Sequence, residues 1–164
     1  FSPNWAAAML RVSKLTDYAT VLLGHLAQRP DALRSATELA EAAHLELPTV
    51  SKVLKLLGSA GLVASQRGVA GGYRLARPAV DITVAQIVQA IDGPIGMTEC
   101  SAHVGQCSHE SHCAVRTPWQ RISRAIERAL ADMTLADMLG GLPPVPPSLS
   151  SRTDLDGRID IRLG

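Results

Sequence analysis

The chain has 164 residues, 46% of them hydrophobic, and a formal net charge of +1 at pH 7, enough apolar material for one sizeable core and a small second subdomain. Its five aromatic residues (two Trp, two Tyr, one Phe) leave the core to Leu, Val, Ile and Ala, which favours a mainly α protein. No apolar run reaches the roughly 18 residues that cross a bilayer, and the first residues lack the charged start and cleavage site of a secretory signal, so no membrane association and a cytoplasmic location are expected.

Residues 1–8 show no usable period and are set aside as an N-terminal extension before Met9. From Leu15 the pattern is helical, with Tyr18, Ala19, Leu22, Leu23 and Leu26 on the same face and Thr16 or Asp17 at the helix start. Pro30 ends that helix. Asp17 reads, on position alone, as a cap or a partner of the helix dipole.

Residues 35 to 77 organise the rest. Ser35 caps a short helix with Leu39, Ala40 and Ala43 at helical spacing, and Pro48 suits the first turn of a second helix. In that second helix Val50, Val53, Leu54 and Leu57 form one stripe, which leaves Thr49, Ser51, Lys52 and Lys55 facing outward. Gly61 stops the helix. Residues 62 to 65 and 73 to 75 read as short strands around a glycine-rich turn, and helix, turn, helix, hairpin is a winged helix-turn-helix.

Charge suggests what that unit meets. Between Leu47 and Val80 lie Lys52, Lys55, Arg67, Arg74 and Arg77 and no acidic residue. A locally basic helix and hairpin suit double-stranded DNA, the helix in the major groove and Arg67 at phosphates or the minor groove. The candidate DNA contacts are Ser35, Thr37, Thr49, Ser51, Lys52, Lys55, Arg67, Tyr73 and Arg74. A winged helix used for protein contacts is the alternative.

After the wing, Pro78 and residues 81 to 83 introduce a helix with Val84, Ile87, Val88 and Ile91 as its buried stripe, closed by Asp92-Gly93-Pro94. This completes a DNA-binding domain over 9–94. Residues 95–116 then lose periodicity and carry all three cysteines, Cys100, Cys107 and Cys113, with His103, His109 and His112 among them and Glu99 and Glu110 nearby. Crowded thiols in a reducing compartment point to a metal or redox site rather than a disulfide framework. Sulfur donors select an iron–sulfur cluster, zinc or copper(I), and the spacing alone leaves these open.

Thr117-Pro118 reads as a cap and first-turn proline opening the longest helix, with Trp119, Ile122, Ile126, Leu130 and Met133 as its apolar stripe. A second capped helix runs from 134 to 139, so that 117–139 forms a dimerisation unit whose interface holds Trp119, Ile122, Ile126 and Leu130. Palindromic DNA sites favour such a two-fold homodimer. Residues 140–164 are a Gly/Pro/Ser linker and a tail for which disorder is expected, although Ile159, Ile161 and Leu163 alternate like a strand. Neither a Walker-type phosphate loop nor a dinucleotide fingerprint is present, and the chain does not read as an enzyme.

Over residues 9 to about 139 the chain resembles the IscR/NsrR type of winged-helix regulators. The resemblance is carried by MLRVSKLTDYAT, the wing RGVAGGYRLAR, ITVAQIVQAIDGP and the three cysteines before a long helix. It looks most similar to regulators of SUF iron–sulfur assembly operons in gammaproteobacteria. The resemblance implies a homodimer crossed through the long helix and an iron–sulfur cluster, 2Fe–2S by preference and 4Fe–4S as the alternative, on Cys100, Cys107 and Cys113. The first cysteine gap is six residues here where the family usually has five.

The histidine that IscR-like members carry three residues after the last cysteine is Arg116 here, and a guanidinium offers no lone pair. NsrR-like members use an aspartate in the opening helix of the partner subunit. Asp17 matches that place and becomes the preferred fourth ligand, with His103, His109 and His112 as rivals. The recognition helix maps onto residues 48 to 60, the wing arginine onto Arg67, and a glutamate that helps IscR-like members choose between site classes onto Ser51. The expected function is a cluster-dependent transcriptional repressor of SUF-type genes. A nitric-oxide- or redox-sensing repressor of the same fold and a zinc-stapled interaction module are the alternatives.

Overall fold

Ser13, not Thr16 or Asp17, starts the first helix. In the computed structural model, which describes residues 12–96 and 115–140, its hydroxyl accepts from the Thr16 amide at 3.1 Å and caps α1, Lys14–Ala27. Thr16 is thereby free to turn inward. Ala19, Leu22, Leu23 and Leu26 of α1 are buried, as their spacing predicts, and Leu15 and Tyr18 are half-buried at the margin.

Helix α2, Ala36–Ala43, opens on a reciprocal cap. The Glu38 amide donates to the Ser35 hydroxyl while the Glu38 carboxylate accepts from the Ser35 amide. His44 then takes the left-handed conformation, φ 53°, and the Leu45 amide returns to the Ala40 carbonyl at 3.0 Å. Three residues thus separate α2 from α3, Leu47–Ser59, which has Pro48 in its first turn. Val50, Val53, Leu54 and Leu57 of α3 are all buried against α1 and α2.

Strands β1, Val63–Gln66, and β2, Gly72–Leu75, pair antiparallel with Val63 opposite Leu75 and Gln66 opposite Gly72. Each strand is displaced by about one residue from the sequence reading, because Leu62 is spent in the core and Gly72 joins the ladder. Arg34 forms a further bridge to Tyr73, with amide-to-carbonyl distances of 3.0 and 2.8 Å. The segment before α2 therefore extends the wing sheet.

A 3-10 turn, Ala79–Asp81, leads to α4, Val84–Asp92, capped reciprocally by Thr83 and Gln86. Ile87 and Ala85 are its buried residues, whereas Val84, Val88 and Ile91 of the expected stripe are half-buried. Helix α5, Arg116–Ala131, starts one residue before Thr117, which lies in the first turn instead of capping it. Helix α6, Leu135–Gly140, follows. A two-residue bridge ties this region back, the Val84 amide donating to the Met133 carbonyl at 2.9 Å and the Leu135 amide to the Ile82 carbonyl at 2.8 Å.

The core is almost wholly aliphatic. Leu22, Leu23 and Leu26 meet Leu39, Leu54, Leu57, Ile82, Ile87 and Leu135, and full burial of such a side chain contributes about 1.5–3 kcal/mol. Helix α5 contributes little to it. Ser123 is its buried residue, Trp119 and Ile122 are exposed, and Ile126 and Leu130 are half-buried.

Candidate nucleic-acid interface

The hairpin fixes a narrow, protruding turn. The Gly71 amide donates to the Gly68 carbonyl at 3.0 Å, and a Cβ on Gly71 would collide with the Gln66 carbonyl oxygen. At Gly72 a Cβ would stand 2.8 Å from the Arg34 backbone, so the bridge that braces the wing requires glycine there. Arg67 and Val69 are exposed on this turn.

On α3 the residues opposite the buried stripe are presented to solvent. Ser51, Lys52 and Lys55 are exposed and Thr49 is half-buried; Arg74 of β2 is exposed and Tyr73 half-buried. The first turn of α3 itself carries no acidic residue, and the Glu46 carboxylate at its N-cap makes no capping hydrogen bond. Thr37 is exposed at the start of α2. The Ser35 hydroxyl is already engaged, donating to Glu38 Oε2 at 2.8 Å and accepting from the Glu38 amide at 3.2 Å. These bonds hold the Glu38 carboxyl below the usual carboxylate range, the backbone bond from Ser35 contributing most.

The cysteines Cys100, Cys107 and Cys113 and the histidines between them lie outside the described residues, as does the 141–164 tail. Among the described residues no three His, Cys, Asp or Glu side chains form a metal-binding group. Asp17 is exposed in the first turn of α1. It lines a groove of about 370 Å³ with Val84, Val88, Leu130 and Met138, and its carboxylate makes no side-chain hydrogen bond among the described residues. One residue earlier, the buried Thr16 hydroxyl donates to Asp92 Oδ2 at 2.8 Å. That bond holds the start of α1 against the end of α4, where the chain departs toward the cysteines.

Two contacts went unread in the sequence. The Arg34–Tyr73 bridge is made by backbone atoms and leaves no side-chain signature. The polar contact from Gln89 Nε2 to Glu127 Oε1, 2.9 Å, joins α4 to α5 across 38 positions. The caps were legible, because Ser35, Thr83 and Thr134 each stand three residues before Glu38, Gln86 and Asp137.

Compared with known proteins, residues 12–141 match the family model "Rrf2: Iron-dependent Transcriptional regulator". The chain belongs to the Rrf2 family. It is 32% identical over 119 residues to the HTH-type transcriptional regulator IscR of Vibrio atlanticus (strain LGP32), a match covering 73% of this chain and 67% of that protein. Among solved structures, T. potens IscR superposes with a TM-score of 0.58 at 32% identity, over 82% of this chain and 89% of that one. The global cysteine regulator CymR (YrzC) of B. subtilis superposes with a TM-score of 0.63 at 28% identity, over 80% and 98%. These relatives are transcriptional regulators and not enzymes. As an Rrf2 protein of IscR type, the chain is a DNA-binding transcriptional regulator built on a winged helix. No helix among its described residues is long and apolar enough to cross a membrane.

Proposed function

We propose that this Rrf2 regulator is an iron–sulfur-cluster-dependent repressor of SUF-type cluster assembly genes, acting in the cytoplasm as a homodimer on a palindromic promoter site. The observation that carries the reading is the position in sequence of all three cysteines between α4 and α5, following an α4 whose Asp92 is bonded to α1, the helix whose first turn offers the exposed Asp17 carboxylate. The donor chemistry fits such a group. Three thiolates are soft ligands suited to iron–sulfur chemistry, and Asp17 gives up no existing side-chain bond on becoming a ligand. Cys100, Cys107 and Cys113 would hold the cluster, with Asp17 of the partner subunit as fourth ligand and His103, His109 or His112 as rivals.

When bound, a cluster supplies a centre sensitive to iron supply and oxidants. The rest of the task falls to the chain. Residues 95–116 lead directly into α5, whose exposed Trp119 and Ile122, with Ile126 and Leu130, offer an apolar stripe for a second copy. Helix α5 in turn is joined to the winged unit by Gln89–Glu127 and by the Thr83–Thr134 bridge. What residues 95–116 hold therefore bears on how two α3 helices are spaced on DNA. Coupling of this kind typically amounts to about 1–3 kcal/mol, roughly 5- to 150-fold in affinity.

On the DNA side, Thr37, Thr49, Ser51, Lys52, Lys55, Arg67, Tyr73 and Arg74 are proposed as contacts, with Ser35 chiefly a cap. Native mass spectrometry after anaerobic reconstitution, with promoter binding measured alongside, tests the proposal. The expected result is a dimer carrying iron and sulfide, lost together with its visible colour when all three cysteines become Ala. Iron-free protein that binds its promoter equally with and without those cysteines would overturn it. Arg116 in place of a histidine and the exposed Asp17 also suit a nitric-oxide- or redox-sensing repressor, for which anaerobic nitric oxide should bleach the protein and release DNA. A zinc-stapled module would be colourless and contain zinc.

A further inference from the structure

The apex of the wing is held in one shape. Residues 67–71 close the hairpin between β1 and β2, and the bond from the Gly71 amide to the Gly68 carbonyl makes Val69 and Ala70 the two central residues of a β-turn. Gly68 has φ 118°, which side chains rarely tolerate, and a Cβ on Gly71 would collide with the Gln66 carbonyl oxygen. Glycine therefore flanks the turn on both sides. Val69 projects from it 111% exposed, more than in an extended peptide, and is the most exposed large apolar side chain among the described residues.

A single apolar side chain on a surface is ordinary. This one stands two residues from Arg67, at the tip of the element that accompanies α3 onto a duplex. Phosphate offers a valine nothing. The apolar partners on a duplex are the thymine methyl in the major groove and, in the minor groove about 6 Å wide, the sugar walls and the floor of A·T pairs. With α3 in the major groove, a tip built of Gly68, Val69, Ala70 and Gly71 is slim enough for the minor groove beside it. There A·T and T·A pairs present acceptors alone, whereas a G·C pair raises the guanine 2-amino group. Two methyl groups set over that amine would strip its water and give no acceptor in return. Valine is stiff about its first side-chain torsion, so it does not swing aside freely.

We propose that Val69 enters the minor groove and selects A·T pairs where the wing lands, by excluding the guanine 2-amino group. The inference rests on the wing reaching DNA and is independent of what the cysteines hold.

The test uses the full chain and a duplex selected for binding it from a random-sequence pool, with affinity read by fluorescence anisotropy. Adenines flanking each α3 half-site are replaced by 2,6-diaminopurine, which adds the 2-amino group in the minor groove and leaves the major-groove edge unchanged. Wild type should bind about tenfold more weakly, the effect of burying one donor without a partner. Val69→Ala removes both methyl groups from an exposed position and should lose less than about twofold. Equal losses in the two proteins, or no loss in wild type, overturn the proposal. So does a fall in affinity, absent in Val69→Ala, when uracil replaces thymine at the same pairs, which would put Val69 on the thymine methyl instead. Arg67→Ala separates the two levels of the argument. If it weakens binding while the added amine has no effect, the wing reaches DNA and only the role of Val69 fails; if neither change matters, the wing does not reach DNA and both readings fall.

Discussion

The Thr16 hydroxyl donates to Asp92 Oδ2 at 2.8 Å across 76 positions of sequence. Thr16 is 2% exposed and accepts a weaker 3.3 Å contact from the Ser13 hydroxyl. Thr16→Val keeps the shape and removes the donor. It should lower stability by about 1 kcal/mol, a fall of roughly 2–4 °C in Tm for a chain of this size. Calorimetry of wild type and variant checks it, and Asp92→Asn, which can still accept, should lose less.

Bracing of the wing depends on Gly72. Gly72→Ala forces a methyl group to within 2.8 Å of the Arg34 backbone, and a backbone shift of that kind costs about 1–3 kcal/mol. The Arg34 amide, now bonded to the Tyr73 carbonyl, should exchange faster with solvent, and DNA affinity should fall even though no basic residue is touched. Hydrogen exchange followed by mass spectrometry reads the first effect and fluorescence anisotropy with duplex DNA the second.

If Arg67 and Lys52 meet phosphates, each change to Ala should reduce the slope of log affinity against log salt by about 1. An unchanged slope for Arg67→Ala would mean that the exposed wing arginine does not reach the backbone. Titrations at several salt concentrations decide between these.

His44 holds a left-handed conformation at the end of α2, where glycine is the usual residue. His44→Gly relieves that strain but makes the unfolded chain more flexible, and the balance should be a gain of about 0.5–1 kcal/mol. Denaturant unfolding measures it.

Three caps share one design but not one pH response. Glu38 and Asp137 both have lowered pKa values, Glu38 chiefly through the Ser35 backbone amide and Asp137 chiefly through the Thr134 hydroxyl. Their stabilising effect is complete above the ordinary carboxylate value and is lost as pH falls through the lowered one. The Thr83–Gln86 cap has no titrating group. Below about pH 4 the first turns of α2 and α6 should therefore loosen while that of α4 persists, visible as amide-specific exchange by NMR.

Much of the winged unit could be read from spacing alone. The stripe Val50, Val53, Leu54, Leu57 and the Ser35 cap follow from rules that act within a few residues. What escaped reading acts over distance. Arg34 joins β2 through backbone atoms, and the partner that Thr16 finds, Asp92, stands 76 positions away. On α5 the periodicity identified an apolar stripe, but periodicity cannot say which surface receives it, and Trp119 and Ile122 remain uncovered in the single chain. The candidate DNA face was legible as charge without acid between residues 47 and 80. Asp17 gave no signal by itself beyond a helix start.

The antiparallel pair of Thr83 and Thr134 completes a clasp around α4. The end of α4 is fastened to α1 by Thr16 on Asp92, and the residues before its start are fastened to those before α6 through Met133 and Leu135. Helix α4 is thereby buckled at both ends, and a change that unpicks either fastening leaves the other in place.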